Sequence, residues 1–341
     1  MPDNLTLEDI ARLAHVSRST VSRVINQHES VSDEVRQRVW QVVGETGFHP
    51  NQAARALVTQ RTYVIGLVIP RSTSTFFADP YFPRLTQGIA EACNRANYTL
   101  SLYLFYSEED EKRLFPRITR KGLVDGIIIQ ATQAADELFT QLANSDVPYI
   151  VAGRPAQVSN VSYVDVDNVG GAHSAVRYLV RLGRRRIGHI AGPFNTTVGV
   201  DRVEGYRAAL AESGLMLDEN LISEGDFTED GGYFCARRLL AYHPDALFIA
   251  ADQMALGAIR AIREAGLRVP EDISIVSFDD LPPAVLATPP LTTVRQPIRR
   301  LGLRLVETLL DIIENGPTPP RHVLFDTELV IRASCGERSI H

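Results

Sequence analysis

The sequence predicts two successive architectures: an N-terminal all-α helix-turn-helix headpiece, then an α/β core of two doubly wound parallel-sheet lobes. Three observations support this. The first fifty of 341 residues place apolar side chains at helical spacing and hold no β-rich run. From Tyr63 onward, short runs rich in Val, Ile and Leu alternate with helical stretches, as parallel sheets with helices on both faces require. That alternation runs through two series, which gives two lobes.

The headpiece begins at Thr6, a helix cap with Asp9 three residues on as a capping-box partner. Leu7, Ile10, Ala11 and Ala14 share one face, and Ala11 is small where a second helix must cross. Ser17 is the N-cap expected for that second helix, whose buried side is Val21, Val24 and Ile25. Its other side offers Arg18, Ser19, Ser22, Arg23 and Asn26, with Thr20 beside them. Arg pairs with guanine edges or phosphates, Ser with either, and Asn with adenine or backbone. Two short helices, a tight turn and such a face are the pattern that reads the DNA major groove. An ordinary three-helix bundle with a solvated Arg/Ser face is the alternative. Ser32 is expected to cap a third helix with Val35, Val39, Val42 and Val43 inward, stopped by Phe48-His49-Pro50-Asn51. Asn51 would cap a short helix, Gln52 to Val58. Two turns are marginal in water, so this helix should form only when docked. Its Ala face and protruding Leu57 suit the minor groove, a linker helix packed on its own domain being the alternative.

In the core, strands are expected at Val64–Ile69, Leu100–Leu104, Asp125–Ile129 and Tyr149–Ala152, with helices at Phe82–Ala96, Glu109–Thr119 and Asp136–Ala143. The second series has strands at Tyr163–Val166, Ile187–Ala191, Ala246–Ala250 and Ile273–Ser277, with helices near 169–182, 201–213, 230–241 and 253–265. Ligands bind beyond the carboxyl ends of strands in such sheets, and paired lobes turn those ends toward one cleft.

Composition narrows the function. Apolar residues make up 45% of the chain, enough for a full core, and the net charge is −6. Residues 1–62 carry seven Arg and seven acidic groups, so the remainder holds 28 basic against 34 acidic. DNA contacts would therefore depend on the position of Arg18, Arg23 and Arg55 and not on bulk charge. Cys93, Cys235 and Cys335 lack CxxC spacing and the eight His lack metal-ligand pairing, so no metal site or cofactor is expected. No apolar run reaches about 18 residues and the N-terminus does not read as a signal peptide. A cytoplasmic protein without membrane association is expected. No GxGxxG, Walker A or GxSxG set appears, and nothing groups a nucleophile with a His, so no enzyme is expected.

These motifs carry a family resemblance. Thr-Leu-Glu-Asp-Ile-Ala (6–11), Val-Ser-Arg-Ser-Thr-Val-Ser-Arg-Val-Ile-Asn (16–26) and Pro-Asn-Gln-Ala-Ala-Arg-Ala-Leu (50–57) resemble the headpiece of the lactose-repressor and galactose-repressor family of bacterial transcription regulators. Ala251 to Ala258, Arg260-Ala261-Ile262, Gly266 to Ser274 and Pro290 to Val294 are similar to its core. The resemblance runs nearly the whole chain in order. It implies a periplasmic-binding-protein-like core divided as 1–50 headpiece, 51–62 hinge helix and linker, 63–161 with 291–322 as one lobe, and 162–290 with 323–341 as the other. It implies operator DNA contacts from Thr6, Ser17, Arg18, Ser19, Thr20, Ser22, Arg23 and Asn26, with Asn51, Ala54 and Leu57 in the minor groove. His15 stands in the turn where the family often has Gly. A left-handed residue there costs about 1–2 kcal/mol, although His tolerates it better than most.

Strand ends propose the effector contacts: Phe76, Asp79 and Phe82 after the first strand, then Arg154, Arg202, Phe227, Asp252 and Asp279. The resemblance independently favours Arg202, Phe227 and Asp279. Carboxylates and Arg suit sugar hydroxyls, and aromatic rings suit sugar faces. Each has a plainer reading: Asp252 as an N-cap, Phe76 and Phe82 as packing, Arg154 as a surface ion pair. Ala251 and Gly153 replace polar anchors found in some sugar-binding members. The expected function is a transcription regulator, a repressor of carbohydrate-utilisation genes, binding a near-palindromic operator as a homodimer under a small-molecule effector, a sugar. After the last expected strand, near Val323 to Arg332, only Ala333 to His341 remain, too few for heptads, so a dimer and not a tetramer is expected. A solute-binding protein and a sugar-active α/β enzyme with a fused helical domain are the rival readings.

Overall fold

A computed structural model describes residues 5–25, 30–48, 61–130, 141–155 and 160–336, the side chains of 71–75 excepted. Asn26, Asn51, Ala54, Leu57, the expected helix at 52–58 and most of the one expected at 136–143 lie outside the described residues. The chain divides into two units, Met1–Thr62 and Tyr63–His341.

The first unit holds α1 (Leu7–Leu13), α2 (Arg18–Ile25) and α3 (Asp33–Thr46). Thr6 and Asp9 form the capping box: the Asp9 N–H donates to Thr6 Oγ1, and the Thr6 N–H donates to Asp9 Oδ2 at 2.9 Å. His15 turns the chain with φ 53°, the left-handed geometry its position demands. Ser17 Oγ then accepts the Thr20 N–H at 3.1 Å and so caps α2. Ser32 sits at the N-cap of α3, but its hydroxyl makes no capping bond, and its carbonyl accepts from Arg36 instead. The residue that ends α3 is Gly47, left-handed at φ 62°. Glycine takes that conformation without a Cβ penalty, so the helix stops one residue before the Phe48 motif expected to break it. Phe48 instead packs with Ile10, Ala14, Val21, Val24 and Val39 in the core of this unit.

The second unit is two six-stranded sheets. Its elements are β1 (Val64–Ser72), α4 (Thr73–Ala78), α5 (Tyr81–Arg95), β2 (Thr99–Phe105), α6 (Glu108–Ile118), β3 (Gly126–Gln130), β4 (Tyr149–Ala152) and β5 (Tyr163–Val166). There follow α7 (Asn168–Arg181), β6 (Ile187–Ala191), α8 (Thr197–Glu212), β7 (Ile222–Glu224), α9 (Glu229–Leu240), β8 (Ala246–Ile249), α10 (Asp252–Glu264) and β9 (Ser274–Asp279). The chain closes with α11 (Pro282–Leu286), β10 (Thr292–Arg295), α12 (Ile298–Asn315), β11 (His322–Phe325) and β12 (Glu328–Val330). The sheet orders are β11-β5-β4-β3-β1-β2 and β12-β10-β9-β8-β6-β7. All pairings are parallel except β10 with β12. Strands covered on both faces must be apolar on both; β3, β6, β8 and β9 are buried along their whole length.

The topology moves the expected lobe boundaries. β5 pairs with β4 and β11, so it belongs to the first lobe, and β10 pairs with β9 in the second. The chain therefore crosses at 167, at 296–297 and at 326–327, not near 160, 290 and 323. The single last strand expected at 323–332 is two strands, one in each sheet. α12 was not expected at all. It packs on α5 through Gly88 and Gly302: a Cβ at Gly88 would lie 2.2 Å from the Arg299 carbonyl oxygen, and one at Gly302 2.5 Å from that of Leu85.

Candidate functional site

On the headpiece, Ser17, Arg18, Ser19 and Arg23 are exposed along α2, with Thr20 and Ser22 half-buried behind them. Ser17 Oγ is shared with Ser19 Oγ at 2.7 Å and Thr20 Oγ1 at 2.8 Å. Arg18 Nε donates to Glu8 at 2.9 Å, and both side chains are more than half exposed. Exposed pairs of this kind contribute about 0–1 kcal/mol, so the guanidinium exchanges Glu8 for another acceptor at little cost. Thr6 is exposed, but its hydroxyl donates to Asp9 Oδ2 at 2.7 Å within the cap.

In the core, a cleft opens at the carboxyl ends of both sheets. The first lobe contributes Asp79, then Tyr81 and Phe82 from the first turn of α5, Gln130 ending β3, Gly153 to Pro155 after β4, and Asp165 in β5. The second contributes Asn168, Thr196 to Val198 and Arg202 around α8, Phe227 after β7, Ala251 after β8, Asp279 ending β9 and Gln296 after β10.

Arg202 organises the floor. It is 3% exposed. Its Nε donates to Asn168 Oδ1 at 3.1 Å, one terminal nitrogen donates to the Ala250 carbonyl, and the other lies 3.7 Å from Asp279 Oδ1. The Phe278 ring stacks under its Cζ at 3.7 Å. Burial lowers the Arg202 pKa from its ordinary value, opposed first by Asp279. Burial pushes Asp279 well above the carboxylate range, against the pull of Arg202 and of Gln296, whose Nε2 donates to Oδ1 at 2.6 Å. Asp279 has φ 117° and Asp280 φ 58°, left-handed geometry that non-glycine residues rarely hold. Asp280 is fixed there by Arg295 at 2.7 Å and Arg332 at 2.6 Å.

The rim is also prearranged. Arg154 donates to Asp201 at 2.5 Å. Asp165 accepts from the backbone of Arg154 at 2.9 Å and of Val166 at 2.8 Å, and from Asn168 Nδ2 at 3.3 Å. Burial raises its pKa more than these donors lower it. Phe227 adopts φ 66° and lays its ring over Gly192, where a Cβ would lie 2.4 Å from it.

Six expected effector residues thus meet in the cavity: Asp79, Phe82, Arg154, Arg202, Phe227 and Asp279. Two do not. Phe76 lies in α4, not in the loop expected there, and is buried with its ring 5.9 Å from Phe82 and 5.0 Å from Phe77. Asp252 is fully buried beneath the floor, where it accepts from Ser277 Oγ at 2.5 Å, Thr293 Oγ1 at 2.7 Å and the Leu281 N–H at 2.8 Å. It acts as a staple joining α10 to β9, β10 and the Leu281 turn. Tyr81, Gln130, Asp165, Asn168, Thr196, Thr197 and Gln296 were missed. Their common signal, a polar side chain at a strand's carboxyl end or the next helix's first turn, was legible for Gln130, Asp165 and Asn168. Among the described residues no cluster of His, Cys, Asp or Glu could hold a metal ion, and no helix is long and apolar enough to cross a membrane.

A helix-turn-helix unit joined to a two-lobed core with a polar, aromatic-walled cleft defines a DNA-binding regulator with a ligand-binding domain. Residues 6–51 match the family model of bacterial regulatory proteins of the lacI family, and residues 176–335 match the periplasmic binding protein-like domain. The chain is 40% identical to the HTH-type transcriptional regulator CelR of Thermobifida fusca, covering 96% of this chain and 98% of the relative. It is 33% identical to the HTH-type transcriptional repressor PurR of Escherichia fergusonii, covering 97% of each. Among solved structures it is similar to the CelR–cellobiose complex (TM-score 0.78, 38% identity, 97% and 99% coverage). It is also similar to a lac repressor dimer bound to operator and an anti-inducer (TM-score 0.85, 28% identity, 98% and 100% coverage). The chain belongs to the LacI family of DNA-binding transcription regulators and is not an enzyme.

Proposed function

We propose that this protein is a repressor of carbohydrate-utilisation genes, binding a near-palindromic operator as a homodimer and controlled by a sugar in the interlobe cleft. The observation that carries the sugar reading is the combination of the Arg202–Asp279 floor with the Tyr81, Phe82 and Phe227 rings in one cavity. Charged donors and acceptors bind hydroxyls, and rings cover the apolar faces of a pyranose. The CelR structure, at 38% identity, holds cellobiose.

On the headpiece, Arg18, Ser19, Ser22 and Arg23 would read base edges, while Ser17 and Thr20 hold α2 in register and contact phosphates. Thr6, Asn26, Asn51, Ala54 and Leu57 would complete the DNA contacts. A two-fold protein matches a two-fold site. The core begins at Tyr63, whose N–H donates to Asp125 at 3.0 Å and whose carbonyl accepts from Thr99 at 2.8 Å. A change in lobe angle therefore moves the point from which the linker leaves. A coupling of about 1–3 kcal/mol between effector and operator suffices for regulation.

Thermal unfolding against free sugars and nucleobases tests the effector class. A ligand at 100 times its Kd should add about 2.7 kcal/mol. Stabilisation by a free sugar supports the proposal; stabilisation by a nucleobase with no response to any sugar would overturn it.

A further inference from the structure

We infer that the cleft selects an uncharged, hydroxyl-rich ligand and rejects its phosphorylated or carboxylated counterparts, with Asp165 as the residue that sets this preference. The inference rests on the sugar reading above and sharpens it. Sites for phosphate or carboxylate present a cation whose hydrogen-bond fork is open to the ligand. Both arginines that line this cavity already donate to the protein's own acceptors, Arg202 through Nε and one terminal nitrogen and Arg154 through one terminal nitrogen. Arg154 is paired to Asp201 at 2.5 Å. Arg202 is held by Asn168, the Ala250 carbonyl and Asp279, with Phe278 stacked on its guanidinium.

The described lining side chains include three carboxyl groups, Asp79, Asp165 and Asp279, and two guanidinium groups. Asp165 matters most among them. It accepts from two backbone N–H groups and the Asn168 amide. Asp201 and Arg202 both lie close enough to act on it electrostatically, in opposite senses. An incoming phosphate ester would meet the Asp165 carboxyl and arginines already paired within the protein. Like charges brought together at a desolvated site repel one another. A hydroxyl meets no such penalty, since it donates to the carboxylate and accepts from an N–H. The N-terminus of α8 also faces the cavity at Thr197 and Val198. One of its orphan N–H groups, that of Gly199, is already satisfied by Thr196 Oγ1 at 3.1 Å.

The test is titration calorimetry of the full-length protein with matched probes: cellobiose, cellobiose 6-phosphate and cellobionate, then glucose, glucose 6-phosphate and glucuronate, with hypoxanthine as the uncharged non-sugar. The expected result is that each uncharged sugar that binds does so ~100-fold or more tightly than its anionic partner. D165N, checked for an unchanged melting profile, should narrow that ratio by at least tenfold. A phosphate ester or acid binding as tightly as its uncharged partner would overturn the inference while leaving the carbohydrate reading intact. A D165N ratio equal to wild type would overturn the role of Asp165. Binding of hypoxanthine with no response to any sugar would overturn the carbohydrate reading and, with it, the hydroxyl-rich ligand inferred here.

Discussion

Two buried residues that the cleft does not use set the clearest residue-scale predictions. Asp252 satisfies three donors at once, so removing its carboxylate orphans Ser277, Thr293 and the Leu281 N–H together. Asp252→Ala should destabilise the core by about 2–4 kcal/mol, measured by urea unfolding; a loss below 1 kcal/mol would deny the staple role. His189 is fully buried between Tyr206 and Phe248, with Nδ1 bonded to the Phe248 carbonyl at 2.9 Å. Burial lowers its pKa from 6.5 to about 4. The unfolded chain therefore binds the extra proton between those values, and this residue's contribution to stability is lost as pH falls from about 6.5 to about 4. Asp252 acts in the opposite sense: burial raises it from 3.8 to about 6, so its contribution is lost as pH rises through that range. His189→Phe removes only the first effect. Melting curves at pH 7 and pH 4.5 should show the variant losing less stability on acidification than wild type, and equal losses would refute the assignment.

At the scale of elements, the sequence was most legible where one physical rule dominated. The runs Tyr149–Ala152, Tyr163–Val166 and Ile187–Ala191 were placed to the residue, because short runs rich in β-branched and aromatic side chains favour strands. The Thr6 and Ser17 caps were legible for a similar reason: an oxygen side chain before an apolar-periodic run has one evident use. α12 was not expected although Ile298, Leu301, Leu305, Val306, Leu309 and Ile312 repeat at helical spacing. Lobe membership of β5 and β10 was not legible, since a strand's own side chains do not name the sheet it joins. The α5–α12 contact makes its own prediction. Gly88→Ala would place a methyl against the Arg299 carbonyl, and overpacking of this kind costs about 1–3 kcal/mol. The measured midpoint should fall accordingly, and an unchanged midpoint would mean that the two helices separate freely.

For the whole molecule, the site divided by chemistry. Arg202 and Asp279 were legible because a charged side chain in the loop or helix after a predicted strand is a strong signal, and Phe227 through the family resemblance, the strand before it not having been expected. Asp252 looked identical in sequence and proved structural, since its orientation depends on β10, which is distant in the chain. The proposed division of labour predicts that Leu57→Ala weakens operator binding at least tenfold while effector affinity stays within twofold; equal operator affinity would sink the minor-groove role of that residue.

The most direct test of the regulatory account is operator affinity with and without sugar. Duplexes selected by the full-length protein from a random-sequence pool would be titrated by fluorescence anisotropy, at one stated salt concentration, with and without saturating uncharged disaccharide. The account predicts a two-fold-related motif in the selected DNA and a change in affinity of ~5- to 150-fold on adding the sugar. Binding that ignores every sugar and responds to a nucleobase or a phosphorylated ligand would contradict it.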